Sequence, residues 1–378
     1  MSPCNLLVIF LLLQLALIYR KGRLQLRQVS VNRLQKGDVL GRTIFSHNGR
    51  SLLGKGVTLT SPYIERLKEL GISIVYVDDD ETKDIVIEDV ISEENRREAM
   101  NSIEHSAEAV RIGKDLNGFQ VKKTVNNIIG DVLFQEKIFL SLTDMRSYDN
   151  QVYAHSVSVC VLATILGKAL GLDKDTLEAL AVGALLHDIG TVKLPKELVA
   201  KREAFTLKEN DLYKTHTVHG FEILRNKSEL NLLSAHIALQ HHEWLNGNGY
   251  PRKLSGRHLH VLAQIVGLAD FYDNLVNDGP GHSRIVPHEA CEIVMGCANK
   301  LFSQQLVVTF LKHVAAYPTG CTVKLNTGEV GIVVDQNKSL PMRPIIRVLI
   351  ADKGLAHVQA KEYNLVEDLT TFIVSIVE

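Results

Sequence analysis

Neither sign of charge prevails in this chain of 378 residues: 42 Lys and Arg stand against 43 Asp and Glu, a formal net charge of −1. No global attraction to duplex nucleic acid or to an anionic membrane is therefore expected. Cysteine is scarce as well. Cys4, Cys160, Cys291, Cys297 and Cys321 are odd in number and scattered, with no CxxC pair, which argues against a disulfide framework or a zinc knuckle and fits a reducing, cytoplasmic compartment. No repeat at solenoid spacing and no low-complexity tract occurs. The first 120 residues carry no receiver-type phosphoacceptor pattern and no helix-turn-helix. The apolar run "NLLVIFLLLQLALIY" at residues 5–19 falls short of the ~20 residues of a bilayer span and lacks the basic region that precedes a secretory core. Arg20, Lys21 and Arg23 follow it and would keep the rest of the chain on the cytoplasmic side if it inserted. Residues 1–22 read either as a single anchor to the inner face of the cell membrane or as the product of a start site set too far upstream.

A hydrophobic fraction of 46% and a charged fraction of 22% belong to a folded globular protein, and the length allows two or three domains. Residues 27–82 mix β-rich runs ("VSVNRL", "DVLGRTIF", "ISIVYV") with an amphipathic stretch opened by Ser61-Pro62, the pattern of a small α/β module. Residues 83–120 begin rich in charge and grade into a helical linker. Between about Ile103 and Ala316 apolar residues recur at helical spacing. In "SVSVCVLATILGKALGL", Val157, Val161, Leu162, Ile165, Leu166 and Ala169 make one stripe that Gly171 would end. After Tyr317-Pro318 the pattern turns β-rich, with strand-like runs on both sides of Asn326-Thr327-Gly328, so residues 319–378 form a separate module.

Histidine is what the chain has in unusual distribution: twelve of its fifteen lie between His155 and His313. "LLHDIG" puts His187 and Asp188 side by side at the end of an apolar helical stretch. Neighbours on a helix point about 100° apart, so both can address only a point lying between their directions, such as a metal ion. One such pair is weak, since a helix C-terminus favours His electrostatically. His155, His216, the pair His241-His242 and Asp270 accompany it, each at the end or on one stripe of an apolar helix. Plainer readings exist for each: an exposed first-turn residue for His155, a surface pair for His216 and His219, a cap or ion pair for Asp270. His236 reads as an ordinary helix-face histidine. Together, five histidines and two aspartates supply N and O donors for two divalent ions, with Asp188 able to bridge them. Iron or manganese suits this donor set better than zinc. Two ions so placed suit hydrolysis of a phosphate ester.

"HSVSVCVLATILG", "HDIG", "HTVHGFEIL", "HHEWLNGNGYP" and "LADFYDNL", in that order, resemble the HD-GYP family, bacterial phosphodiesterases of cyclic di-GMP within the HD superfamily. The resemblance spans about residues 121–318 and implies a multidomain chain with a central all-α HD-type helical domain between the α/β and β-rich modules. The flanking modules are similar to segments found beside this domain in Gram-positive members. It implies His155, His187, Asp188, His216, His241, His242 and Asp270 as metal ligands. It implies hydrolysis of cyclic di-GMP to linear pGpG and onward to GMP, with signalling partner proteins and a homodimer compatible with it. Trinuclear members place a Glu where Gln151 stands, so two metals are implied. Most members follow HDIG with a Lys; Thr191 stands there, and Lys193 two residues on is the expected substitute beside Asp188 and Thr191 in catalysis. Where members carry an Arg-Pro-Tyr-Arg-like segment, this chain has "DGPGHSR" with Gly279, leaving Arg284 as the nearest guanidinium. Tyr250 and Arg284 are the expected substrate contacts, with Glu243 behind the ligands. Two other outcomes stay open: a receptor that binds without turnover, and a hydrolase of another phosphoester.

Overall fold

The computed structural model describes residues 27–45, 51–72, 74–78, 89–135, 151–201, 203–278, 281–337, 340–350 and 359–377. The apolar segment 1–22 and Gly279 lie outside the described residues. Among the described residues no helix is long and apolar enough to cross a membrane.

Strands β1 (Arg27–Ser30), β2 (Val39–Leu40), β3 (Ile44–Phe45), β4 (Ser51–Leu53) and β5 (Ile74–Asp78), with helix α1 (Ser61–Glu69), form the N-terminal module. β5 lies between β1 and β2, antiparallel to both, and β3 pairs with β4. Pro62 enters α1 in its first turn, where a missing N–H costs nothing. Ile64 and Leu67 then pack with Val29, Leu40, Leu59, Val75 and Val77 into a core of the module's own.

Helix α2 (Glu93–Arg111) follows, its N-terminus capped by the Ser92 hydroxyl accepting from the Asn95 amide. It is no free linker. Ala99, Ile103, Ala107 and Val110 are buried in the same hydrophobic core as the helical body, which begins in sequence with α3 (Gly118–Phe134) and continues with α4 (Gln151–Ala169) and α5 (Lys174–Leu185). The periodicity placed one apolar stripe on α4, but Val159, Cys160 and Ala163 are buried as well, while Ala169 is exposed. A helix apolar on all sides is a central one, surrounded by neighbours. Gly171, at φ +73°, ends it as expected.

A tight turn at Ile189–Lys193 leads through α6 (Lys196–Val199), α7 (Leu207–Lys214), α8 (His216–Leu224) and α9 (Leu232–Gln240) to α10 (Val261–Val276), α11 (Pro287–Gly296) and α12 (Gln304–Leu311). The chain then forms a five-stranded antiparallel sheet of β6 (Thr322–Leu325), β7 (Val330–Asp335), β8 (Ile345–Ile350), β9 (Gln359–Asn364) and β10 (Ile373–Ile376), in the order β10-β6-β7-β8-β9. Gly328, at φ +89°, turns β6 into β7. Val323, Leu325, Val333, Ile346 and Val348 join the core of the helical body.

Candidate metal centre

The histidines converge because each sits where a packed helix begins or ends. His187 and Asp188 follow α5, His216 opens α8, His241 and His242 follow α9, His155 lies in the first turns of α4, and Asp270 lies within α10. These helices share one core, so their ends are fixed relative to one another.

Hydrogen bonds settle which ring nitrogen faces inward. His187 Nδ1 lies 2.8 Å from the Ala184 carbonyl oxygen, His216 Nδ1 2.7 Å from that of Tyr213, and His241 Nδ1 3.0 Å from that of Ala238. A carbonyl only accepts, so each Nδ1 carries the proton and a neutral ring turns the lone pair of Nε2 to the centre. There His216 Nε2 stands 3.3 Å from His241 Nε2, and Asp188 Oδ1 lies 3.2 and 3.7 Å from the two. His187 Nε2 and Asp188 Oδ1 are buried with no hydrogen-bond partner among the described residues. Lone pairs crowded this closely in a buried place repel one another unless a cation lies among them.

Two sets of donor atoms are close enough to hold an ion: Asp188, His216, His241 and His242, and again His155, His187 and Asp188. Asp188 belongs to both. Asp270 lies against the second set, with Oδ1 3.0 Å from His155 Nε2 and 3.8 Å from His187 Nε2, and its Oδ2 is 3.6 Å from His242 Nδ1. The structure thus brings all seven expected ligands together. Burial pushes His216 down to about 4 and lowers His187. For His155 burial also favours the neutral ring, yet the hydrogen bonds to Asp270 and Asp273 prevail and lift it to about 10.

Asp273 is a site residue that sequence reasoning missed. Its fully buried carboxylate accepts from His155 Nδ1 at 2.6 Å, fixing that ring's tautomer. The signal was present, since Asp273 follows Asp270 by three residues and so shares its helix face.

Tyr250 stacks on His242, ring centroids 4.7 Å apart and planes at 29°. Gly249 permits this: a Cβ there would fall 2.5 Å from Glu243 Cα and from the Trp244 amide nitrogen. Glu243 does not back a metal ligand, as was expected. Its buried carboxylate accepts instead from the Arg252 amide at 2.6 Å and the Leu254 amide at 2.8 Å, tying down the loop that carries Tyr250.

A cavity of about 690 Å³ opens onto the centre, lined by His155, Asp188, Thr191, His242, Tyr250 and Asp270 among others. The Thr191 hydroxyl donates to the Asp188 carbonyl at 2.8 Å. Lys193 is exposed and absent from the lining, because the turn at Ile189–Lys193 carries it away; Lys196 and Lys201 line the wall in its place. Arg284 is absent from the lining too. Its amide donates to Asp278 Oδ1 at 2.9 Å, so that segment turns back on the end of α10. Gln151 begins α4, but its side chain lies outside the described portion, as does Gly279.

A family model described as HD domain matches residues 141–305, and one described as KOW domain associated with HD domain matches residues 322–378. The chain is 29% identical over 246 residues to a cyclic di-GMP phosphodiesterase of Pseudomonas aeruginosa, covering 65% of this chain and 59% of that protein. A cyclic di-GMP phosphodiesterase of Thermotoga maritima is 33% identical over 184 residues, covering 48% of this chain and 50% of that protein. A 3'3'-cGAMP-specific phosphodiesterase of Vibrio cholerae is 26% identical over 180 residues, covering 47% of this chain and 34% of that protein. The chain spans about half the length of the curated relatives it matches.

Proposed function

Residues 141–305 match the HD domain family model, and from that premise we propose that this protein is a metal-dependent phosphodiesterase that hydrolyses cyclic di-GMP. One observation carries the reading: Asp188 is common to two donor sets, while its Oδ1 and the neighbouring His187 Nε2 are buried without hydrogen-bond partners among the described residues. The residues present fit two divalent ions, one among His216, His241, His242 and Asp188, the other among His155, His187, Asp188 and Asp270. Nitrogen and carboxylate donors without thiolate suit iron or manganese. Two such ions would polarise a phosphodiester and make water nucleophilic at neutral pH.

The chain's own groups supply position. Backbone carbonyls and Asp273 orient the imidazoles, and the Thr191 hydroxyl holds the Asp188 backbone. Tyr250, on its anchored loop, gives the substrate an aromatic face beside His242. The cavity is within the size range of small-molecule sites. In the reaction a water oxygen bonds to phosphorus, the bond from phosphorus to the ribose 3'-oxygen breaks, and that oxygen leaves with a proton. The ring of cyclic di-GMP opens to linear pGpG, which a second hydrolysis converts to GMP.

The test uses the full chain purified anaerobically, with metal content and hydrolysis measured on one sample against a panel of cyclic di-GMP, 3'3'-cGAMP and cyclic di-AMP. Two metals per chain, linear product from cyclic di-GMP first among the panel, and loss of both in Asp188→Ala are expected. Equal residual rates in the parent and in Asp188→Ala would sink the enzymatic reading. Binding without product would leave a receptor, the outcome favoured by Lys193 and Arg284 standing off the cavity.

A further inference from the structure

The cavity has a wall from outside the segment that the HD family model matches. Ile103, Ala107 and Arg111 of α2 all line it, and their spacing of four residues puts them on one helix face. The first two are buried. Arg111, the last residue of α2, is 36% exposed at its side chain. Tyr153 of α4, two residues before His155, lines the same cavity. Arg111 therefore shares one cavity with the helix that carries His155.

The end of α10 brings no cation to the lining: it contributes Asp273, Asn274, Asn277 and Asp278. Of the other cations on the lining, Lys201 is engaged by both oxygens of Glu209, at 2.6 and 2.7 Å. Lys196 is an exposed point charge. Among the described residues Arg111 pairs with Glu108 alone, at 2.7 Å and three residues away on the helix surface, a kind of contact worth little and readily exchanged. Its planar fork matches a phosphate bidentately.

We propose that Arg111 binds the phosphodiester that is not being cleaved in a cyclic dinucleotide, and so sets the preference for dinucleotides over simple phosphodiesters. This rests on the phosphodiesterase reading above. With one phosphate at the metal centre, the second negative charge of the substrate meets carboxylates on the α10 side and the guanidinium on the α2 side. Helix α2 is then part of the substrate site as well as the connection to the N-terminal module.

The experiment compares the full-length, metal-loaded parent with Arg111→Ala and Arg111→Lys. It measures kcat and KM for cyclic di-GMP and for bis(p-nitrophenyl) phosphate, and equilibrium binding of a slowly hydrolysed phosphorothioate of cyclic di-GMP. In Arg111→Ala the ratio of kcat/KM for cyclic di-GMP to that for bis(p-nitrophenyl) phosphate should fall roughly 10- to 100-fold, chiefly through KM, as expected for losing charge-assisted hydrogen bonds. Analogue affinity should fall in parallel, and Arg111→Lys should recover part of both. An unchanged ratio, or an equal loss on both substrates, overturns the inference, since a merely structural role would move both together. So does a parent that cleaves bis(p-nitrophenyl) phosphate but neither binds nor cleaves cyclic di-GMP. If the parent binds the analogue without turnover, the catalytic reading fails by itself, and the affinity of Arg111→Ala still decides the role of Arg111.

Discussion

Replacing Gly190 by Ala should empty part of the metal centre without touching a ligand. Gly190 lies where the turn after Asp188 crosses the start of α8. A methyl carbon built on it would overlap the His216 carbonyl oxygen and stand 2.5 Å from the Gly220 amide nitrogen. Both neighbours are backbone atoms, so no side chain can swing aside. Restoring van der Waals separation needs the two segments to part by on the order of 1 Å, and overpacking of this kind costs about 1–3 kcal/mol. The segments that part carry Asp188 and His216, whose ligand atoms are now 3.2 Å apart, whereas such constellations tolerate displacements of only about 0.5 Å. Gly190→Ala is therefore expected to retain at most one metal per chain and to lose at least ~100-fold in turnover. Elemental analysis, thermal unfolding and hydrolysis on one preparation check this. Gly130, mid-helix in α3 with no atom within 4 Å of a built Cβ, is the control. Gly130→Ala should stabilise by about 0.5–1 kcal/mol and leave the metals in place. A Gly190→Ala protein with full metal content and parental melting temperature would refute the claim that this backbone crossing sets the position of His216.

Asp273→Asn should keep the fold but weaken metal affinity about 10- to 100-fold, because His155 loses the carboxylate that orients it; competition against a chelating dye measures this, and unchanged affinity removes Asp273 from the site. Glu243→Gln puts an amide NH2 where a carboxylate oxygen accepts from a backbone amide. A loss of about 1–3 kcal/mol is expected, seen as a lower melting temperature with faster proteolysis at residues 246–254, and a parental melting curve would count against it. Glu209, capping α7 and bonded to Lys201 and Thr206, has its pKa lowered from 4.5 to about 2. Its folded-state value is depressed, so its contribution is present above pH 4.5 and is lost as pH falls toward about 2. The melting temperatures of Glu209→Gln and the parent should therefore differ at pH 7 and converge only as pH falls to about 2; a gap independent of pH would contradict this.

The gathering of the seven His and Asp side chains was legible because His and Asp are rare on apolar helices and recur here at helix ends, where a single point can be reached from several helices. The turn at Gly171 and the strands around Gly328 were legible for a similar reason, since glycine's conformational freedom leaves a local mark. What could not be read was which face meets which. The spacing of Ile103, Ala107 and Arg111 is plain in the sequence, yet periodicity says only that the face is covered, and α2 passed for a linker. Lys193 and Arg284 were chosen by nearness along the chain, and the turns that carry them away from the cavity depend on hydrogen bonds to Asp188 and Asp278. Glu243 beside two ligands suggested a role in support of the metals, whereas its carboxylate was needed by two amides of the next loop.

The site divides into two parts with different mechanical supports. Metal donors hang on the ends of α5, α8 and α9 and on α4 and α10, all locked into one core, so they should be stiff. The substrate side is built differently: a loop pinned by Glu243 and a helix that leads back to the N-terminal module. Changes there alter what the cavity accepts without moving the donors by the half ångström that metal binding tolerates. Metal content and substrate preference should consequently be separable by mutation, with Gly190 acting on the first and Arg111 on the second. Displacement of α2 against the turn after Asp188 would alter the substrate wall before it disturbed the ions, so any influence of the N-terminal module should be felt first in KM.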